Sequence, residues 1–166
     1  NINNLDLLIT IGGASVGDKD LIKSTLIEKG FNLIFWKIAM RPGKPVFFGL
    51  LDKIPVIGLP GNPVSSYVCS LILLKAAIYK MLERKDKIII EKKGILGSKL
   101  NKNDDREDYI RAKIEINGKN ERIIYPYETQ DSSMLSLLAK ADCLIKRLPN
   151  AKKLNIGDKV NYIELI

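Results

Sequence analysis

Eight residues, Leu59-Pro60-Gly61-Asn62-Pro63-Val64-Ser65-Ser66, constrain this chain more than any other stretch. Ahead of them, Ile54-Pro55-Val56-Ile57-Gly58 is short, apolar and rich in β-branched residues, the profile of a buried strand. Behind them, Val64, Val68, Leu71, Leu74 or Lys75, Ile78 and Leu82 recur at helical spacing and predict a long helix. Pro63 suits the first helical position, where its missing N–H costs nothing, and Asn62 suits the N-cap. Gly61 permits the tight turn between strand and helix. Such a corner presents backbone N–H groups with the hydroxyls of Ser65 and Ser66, a setting that favours anions and phosphate above all. Alone it would be an ordinary strand–turn–helix corner, so its neighbours decide its weight.

Leu5–Thr10 reads as a buried parallel strand, almost continuously apolar. It runs into a loop, Ile11–Asp20, in which Gly12, Gly13, Gly17 and Ser15 would let the backbone approach a ligand closely. The spacing fits neither the P-loop nor the dinucleotide fingerprint. Asp20 precedes the amphipathic stretch Leu21–Lys29 and is either its N-cap or a hard-cation ligand, and Gly30 should end that helix. Phe31–Met40 follows as an extended stretch, then the turn Arg41-Pro42-Gly43-Lys44-Pro45, then the strand-like Val46–Leu50. Lys37, Arg41 and Lys44 would put three cations on one rim between the two loops.

A charge run, Glu83–Lys87, marks the expected boundary between a first domain at 1–85 and a second at 86–166. Beyond it the pattern changes to strands: Ile88–Ile90, Asp108–Asn117, Glu121–Tyr127, Cys143–Leu148 and Val160–Ile166. In the second of these Tyr109, Arg111, Lys113 and Glu115 alternate with Ile110, Ala112, Ile114 and Ile116. Asn117-Gly118 marks a hairpin turn, and Ser132–Lys140 predicts one helix capped by Asp131 or Ser132. The expected architecture is a partial three-layer α/β domain, its beginning missing, followed by a small mostly-β barrel or sandwich.

The net charge of +8 lacks the interleaved aromatic residues of a nucleic-acid surface, so no nucleic-acid partner is expected. The longest apolar run, Tyr67–Met81, is broken by Lys75 and Lys80, so no membrane segment is expected either. There is no histidine, and Cys69 and Cys143 stand far apart in apolar surroundings. Two reduced, buried thiols suit a cytoplasmic protein and offer no soft-metal site. The chain opens without a methionine on Asn-Ile-Asn-Asn, which suggests a piece of a longer protein.

Gly12–Gly17, then Trp36-Lys37 with Pro42-Gly43-Lys44-Pro45, then Leu59–Ser65 follow one another in an order that resembles the molybdopterin molybdenumtransferases, a family that includes the E domain of gephyrin. Asp105-Arg106-Glu107-Asp108-Tyr109-Ile110-Arg111-Ala112, Ser133-Met134-Leu135 with Ala141-Asp142, and Leu154–Val160 extend the resemblance over essentially the whole chain. It implies insertion of molybdate into adenylylated molybdopterin, with release of AMP and with Mg²⁺ as cofactor. By matching positions it implies that Ser15 and Asp20 belong to the molybdopterin- and metal-handling loop, with Asp20 as catalytic residue and metal ligand. Lys37 and Arg41 take the family's two basic catalytic positions, Arg41 in place of the more usual lysine. Gly12, Gly13, Gly17, Lys44, Pro60, Gly61, Asn62, Pro63 and Ser65 would line the substrate site, and Ser132 matches a cleft-facing serine. The resemblance also implies a homodimer, with a molybdopterin adenylyltransferase as a possible partner. Its alternatives are a non-catalytic interaction module of the gephyrin type and a molybdopterin adenylyltransferase; the latter family lacks the C-terminal β-domain. The family's first strand and acidic loop lie before Leu5, so this stretch alone is expected to be inactive.

Overall fold

The computed structural model describes residues 4–13 and 21–165. They form two compact units: Asn1–Ile38 with Gly43–Glu83, and Ala39–Pro42 with Arg84–Ile166. In chain order the elements begin with β1 (Leu8–Ile11), α1 (Leu21–Glu28), β2 (Phe31–Trp36), β3 (Met40–Arg41), β4 (Phe47–Leu51) and β5 (Ile54–Leu59). A long helix follows, as α2 (Pro63–Cys69), a π-helical segment Ser70–Leu74 and α3 (Lys75–Met81). The remainder is β6 (Glu91–Leu96), β7 (Glu107–Ile116), β8 (Arg122–Pro126), α4 (Leu135–Ala139), β9 (Cys143–Arg147) and β10 (Lys159–Glu164).

The first unit holds a four-stranded sheet in the order β1-β5-β4-β2, with β1 parallel to β5 and the other pairs antiparallel. Its core is Phe31, Phe47, Leu51 and Val56, covered by Ile22 and Leu26 of α1. Phe47 lies directly opposite Gly58, and the ring uses the space that the glycine leaves. A Cβ at Gly58 would fall 1.9 Å from Phe47 Cε1, and one at Gly49 would fall 2.3 Å from the Asn32 carbonyl oxygen. Glycine is thus required in the middle of both strands, against its usual cost there. The Phe31 and Phe47 rings meet edge to face, 5.8 Å between centroids.

Two expectations change here. The first strand is not buried: β1 is at an edge of this sheet, and Ile9 and Ile11 are 40% and 67% exposed. One covered face and a single neighbouring strand explain the difference. The long helix is also more apolar overall than the interruptions at Lys75 and Lys80 suggest. Pro63–Met81 is 19 residues with a mean hydropathy of 1.3, long and apolar enough to cross a membrane by length and composition alone. Its first turns instead behave as a core helix, with Val64, Val68 and Cys69 buried, whereas no residue of Ser70–Met81 is fully buried.

The second unit is a barrel. β7, β8, β6, β10 and β9 hydrogen-bond in turn, and β9 pairs back onto β7, closing five strands. Leu96, Ala112, Ile124, Cys143, Ile145, Val160 and Tyr162 fill the interior. Ile88–Ile90 is not a strand: β6 starts at Glu91, from which burial rather than residue type alternates, and Ile90 is left exposed. Asn117 shapes the β7–β8 turn by accepting the N–H groups of Lys119 and Glu121 at its Oδ1. The helix expected from Ser132 begins only at Leu135, because the Asp131 carboxylate accepts the Ser133 N–H at 2.8 Å and makes a turn first.

β3 runs parallel to β7, with Met40 beside Glu107 and Arg41 beside Asp108. Residues 39–42 therefore belong with the barrel although they lie inside the first half of the chain, and the second passage between the units falls after Glu83.

Candidate functional site

Register decides which loops share an end of the first sheet. Thr10 is level with Gly58, Gly58 with Phe47, and Phe47 with Trp36. β1, β5 and β2 leave that row through Gly12, Pro60 and Lys37, and β4 enters it from Lys44–Val46. Three strand spacings separate the outer strands, so the Gly12 loop and Lys37 stand roughly 14 Å apart along one rim. This is the carboxyl end of the two parallel strands, where open α/β sheets place their ligand loops.

The glycine loop and the Pro60–Ser66 corner are in contact. Gly12 N–H donates to Leu59 O at 3.0 Å, and a Cβ on Gly61 would lie 3.3 Å from Gly12 Cα. Gly12 and Gly13 have φ of +85° and +69°, where a side chain is strained, and Gly13 leaves no room against Ile22 of α1. Gly12, Gly13, Pro60, Gly61, Asn62, Pro63 and Ser65 therefore come together at one place. Ser15, Gly17 and Asp20 lie outside the described residues.

The helix start is capped as expected. Asn62 Oδ1 accepts the Ser65 N–H at 3.1 Å and its carbonyl accepts the Ser66 N–H at 2.8 Å. The cap therefore occupies donors that the sequence alone would assign to an anion, and Ser65 and Ser66 are both buried. Gly61 remains as the exposed backbone of the corner.

The cations divide between the units. Lys37 adopts φ +68°, donates its N–H to Val46 O at 2.8 Å and rests its ammonium 4.0 Å from the Trp36 ring centroid. The Lys44 carbonyl accepts the N–H groups of Ile38 and Val46, closing the turn on which its own exposed side chain is carried. Arg41 sits in the second unit, in register with β7. Its Nη1 donates to Asp104 at 3.1 Å and its Nη2 to Asn103 at 3.3 Å and to Asp108. Arg106 and the Arg106 backbone N–H also reach Asp104, and together these donors hold its carboxyl down at about 2.

Ser132 is half-buried in a segment held by a residue to which the sequence pattern assigns no role. Arg111 is 2% exposed, and its Nη2 and Nη1 donate to the carbonyls of Asp131 (2.9 Å) and Met134 (3.0 Å). Gln130 Oε1 accepts the Arg111 N–H, and Gln130 Nε2 donates to the carbonyls of Arg111 and Tyr127. Alternation along β7 puts Arg111 on the outer face; the segment 127–134 folds over that face and buries it. A charged residue inside the Asp105–Ala112 motif was the available signal. A cavity of about 610 Å³ opens in this unit, lined among others by Arg41, Asp108, Tyr109, Arg111, Gln130 and Arg147.

Among the described residues no group of three or more His, Cys, Asp or Glu side chains is arranged to hold a metal ion. Asp20, the residue expected to hold Mg²⁺, is outside them. Both thiols are buried and free, with burial pushing each up to about 12, so neither is a nucleophile near neutral pH.

Residues 1–80 match the family described as "Probable molybdopterin binding domain", and residues 93–165 match "MoeA C-terminal region (domain IV)". A molybdopterin molybdenumtransferase of Haemophilus influenzae is 36% identical over 93% of this chain, and one of Bacillus subtilis is 28% identical over 87%. The chain spans only 38% and 33% of those relatives' own length. A crystal structure of a molybdopterin biosynthesis MoeA protein from Pyrococcus horikoshii superposes with a TM-score of 0.77 at 26% identity. That match covers 98% of this chain and 38% of the other.

Proposed function

From a chain that belongs to the molybdopterin molybdenumtransferase family, we propose that the protein acts in molybdenum cofactor biosynthesis, inserting molybdate into adenylylated molybdopterin with release of AMP. The observation that carries this most directly is the contact between the Gly12 loop and the Pro60–Ser66 corner at the carboxyl end of two parallel strands, with Lys37 on the same rim. A phosphate-bearing pterin suits such a rim. Close-approaching glycine backbone accepts the phosphate without side-chain obstruction, and Lys37 adds positive charge farther along the same rim. Lys37 and Arg41 serve as the two basic catalytic groups, with Lys44 adding charge. Gly12, Gly13, Ser15, Gly17, Pro60, Gly61, Asn62, Pro63 and Ser65 are the residues assigned to substrate binding, with Ser132 as a further candidate. The match of 93–165 to the MoeA C-terminal region favours the transferase over the adenylyltransferase alternative.

Asp20 is the candidate for Mg²⁺, an ion that would screen phosphate charge; no step here depends on it. A homodimer, contact with a molybdopterin adenylyltransferase and a cytoplasmic location complete the proposal, each resting on the family alone. Titration of the intact protein with molybdopterin tests it. Lys37→Ala should weaken binding at least about tenfold, or about 1.4 kcal/mol, and unchanged affinity would remove Lys37 from the site.

A further inference from the structure

We propose that Asp108, helped by Asn103 and Asp104, is a positioning residue that aims the Arg41 guanidinium. The inference rests on the assignment of Arg41 to the substrate site. Arg41 carries its charge on a side chain that is 46% exposed, yet three side-chain acceptors hold its two terminal nitrogens. A guanidinium has five N–H donors in a fixed plane, so a clamp on the Nη groups leaves the remaining donors pointing in a set direction. Lysine also has three donors, but on one rotatable nitrogen, so it would not set the direction of the charge as a planar guanidinium does.

The clamp is itself anchored. Asn103 Nδ2 donates to Arg106 O at 2.7 Å and Leu148 O at 3.0 Å, leaving its Oδ1 turned to Arg41 and to the Asp104 N–H. Asp104 is tied to Arg106 through both its oxygens. Asp108 stands near the start of β7, beside Arg41 on one side and opposite Arg147 on the other.

The choice Asp108 makes between those neighbours is the informative feature. Asp108 is 6% exposed and Arg147 is 4% exposed. Asp108 Oδ1, Arg147 Nε and Arg147 Nη1 are all buried and find no hydrogen-bond partner among the described residues. Packing for stability alone would pair these two buried opposite charges, because an unmade bond there is costly. Asp108 instead gives its bond to the exposed Arg41 and leaves Arg147 to the carbonyls of Asn101, Ala151 and Lys152. A local arrangement that forgoes stability for the placement of an exposed cation is what a functional site produces.

Chemical rescue tests the clamp in the intact protein, with release of AMP from adenylylated molybdopterin in the presence of molybdate as the readout. Arg41→Ala should lose at least tenfold in turnover, and millimolar guanidinium should restore a good part of it by occupying the empty clamp. The same guanidinium should fail in Arg41→Ala/Asp108→Asn. Because Asp108 is buried, Arg41→Ala/Asp104→Asn repeats the test at an exposed carboxylate, and there rescue should be weakened several-fold. Undiminished rescue in both double variants would overturn the clamp while leaving Arg41 in its role. Wild-type turnover in Arg41→Ala would overturn the role of Arg41 and the clamp with it.

Discussion

The two units solve the problem of sheet edges in opposite ways. In the barrel each of the five strands has a neighbour on both sides, with β6 and β8 meeting at Ile95–Leu96 and Ile123–Ile124. The first sheet is open, and β1 shows apolar Ile9 and Ile11 at its edge while the long helix has no fully buried residue beyond Cys69. Closure concentrates burial: Leu96, Ala112, Ile124, Cys143, Ile145 and Tyr162 are fully inaccessible. The first unit buries Phe47, Val56, Val68 and Cys69 just as completely, and the loops at its strand ends are where the candidate substrate cradle lies.

Paired substitutions can break or sharpen this contrast. The largest effect is expected inside the barrel, where Ile145→Ala should cost about 2–5 kcal/mol by denaturant unfolding, through lost burial and a cavity. Its counterpart Ile11→Ala, on the open edge, should change stability by no more than about 0.5 kcal/mol. Equal losses at the two positions would end the comparison.

The first unit is nonetheless tightly packed under Phe47. Gly58→Ala should cost about 1–3 kcal/mol because the added carbon meets the Phe47 ring, which has no room to move. Gly118→Ala, at a barrel turn with no heavy atom within 4 Å of the added carbon, should be neutral within about 0.5 kcal/mol. Thermal unfolding of the two variants side by side gives the comparison directly.

A smaller effect belongs to the cap of α2. Asn62→Ala removes the acceptor of the Ser65 N–H and should cost about 1 kcal/mol, while Asn62→Asp, which keeps it, should cost less. The amide freed by the alanine is also the one nearest the cradle, so tighter anion binding by that variant would show that the cap competes with substrate.

The mildest perturbation is acid. The Asp104 carboxyl is held at about 2 by its bonds to Arg106 and the charge of Arg41. A depressed carboxylate contributes stability that is present above its unfolded value, about 3.9, and is lost as pH falls through about 2. The barrel's Arg41–Asp104 contact should thus persist at pH 3 and vanish near pH 2. Carboxyl carbon shifts followed by NMR would record it, and a midpoint near 4 would show that the contact is not held in solution.

Much of this was legible in the chain itself. Asn62, Pro63 and the apolar spacing beyond them announce a capped helix after a buried strand, and the contacts bear this out. Asn117-Gly118 announces its hairpin, and the alternation on either side announces antiparallel strands. The failures have physical causes. Ile88–Ile90 has the composition of a strand but no partner to pair with, and Asp131 delays a helix by bonding its own turn. The apolar character of Leu8–Ile11 says nothing about where in a sheet it will lie. In the candidate site the glycines and the corner could be read from residue types, whereas Arg111 and the acidic clamp on Arg41 could not. Their bonds join residues 19–23 and 62–67 positions apart, and such pairings carry no local signature.

The sequence by itself determined most local states: the capped helix after Asn62, the Asn117-Gly118 hairpin, and which loops are permissive enough to take a ligand. Those follow from short-range sterics, capping and periodicity, and they need no knowledge of distant residues. Only the tertiary structure decided that β1 would be an edge, that five strands would close on themselves, and that residues 39–42 would leave their neighbours in sequence to pair with the barrel. It also decided how Arg41 is held. That depends on which carboxylates the β7 register brings beside it, a long-range outcome of burial and backbone pairing that no single stretch of chain encodes.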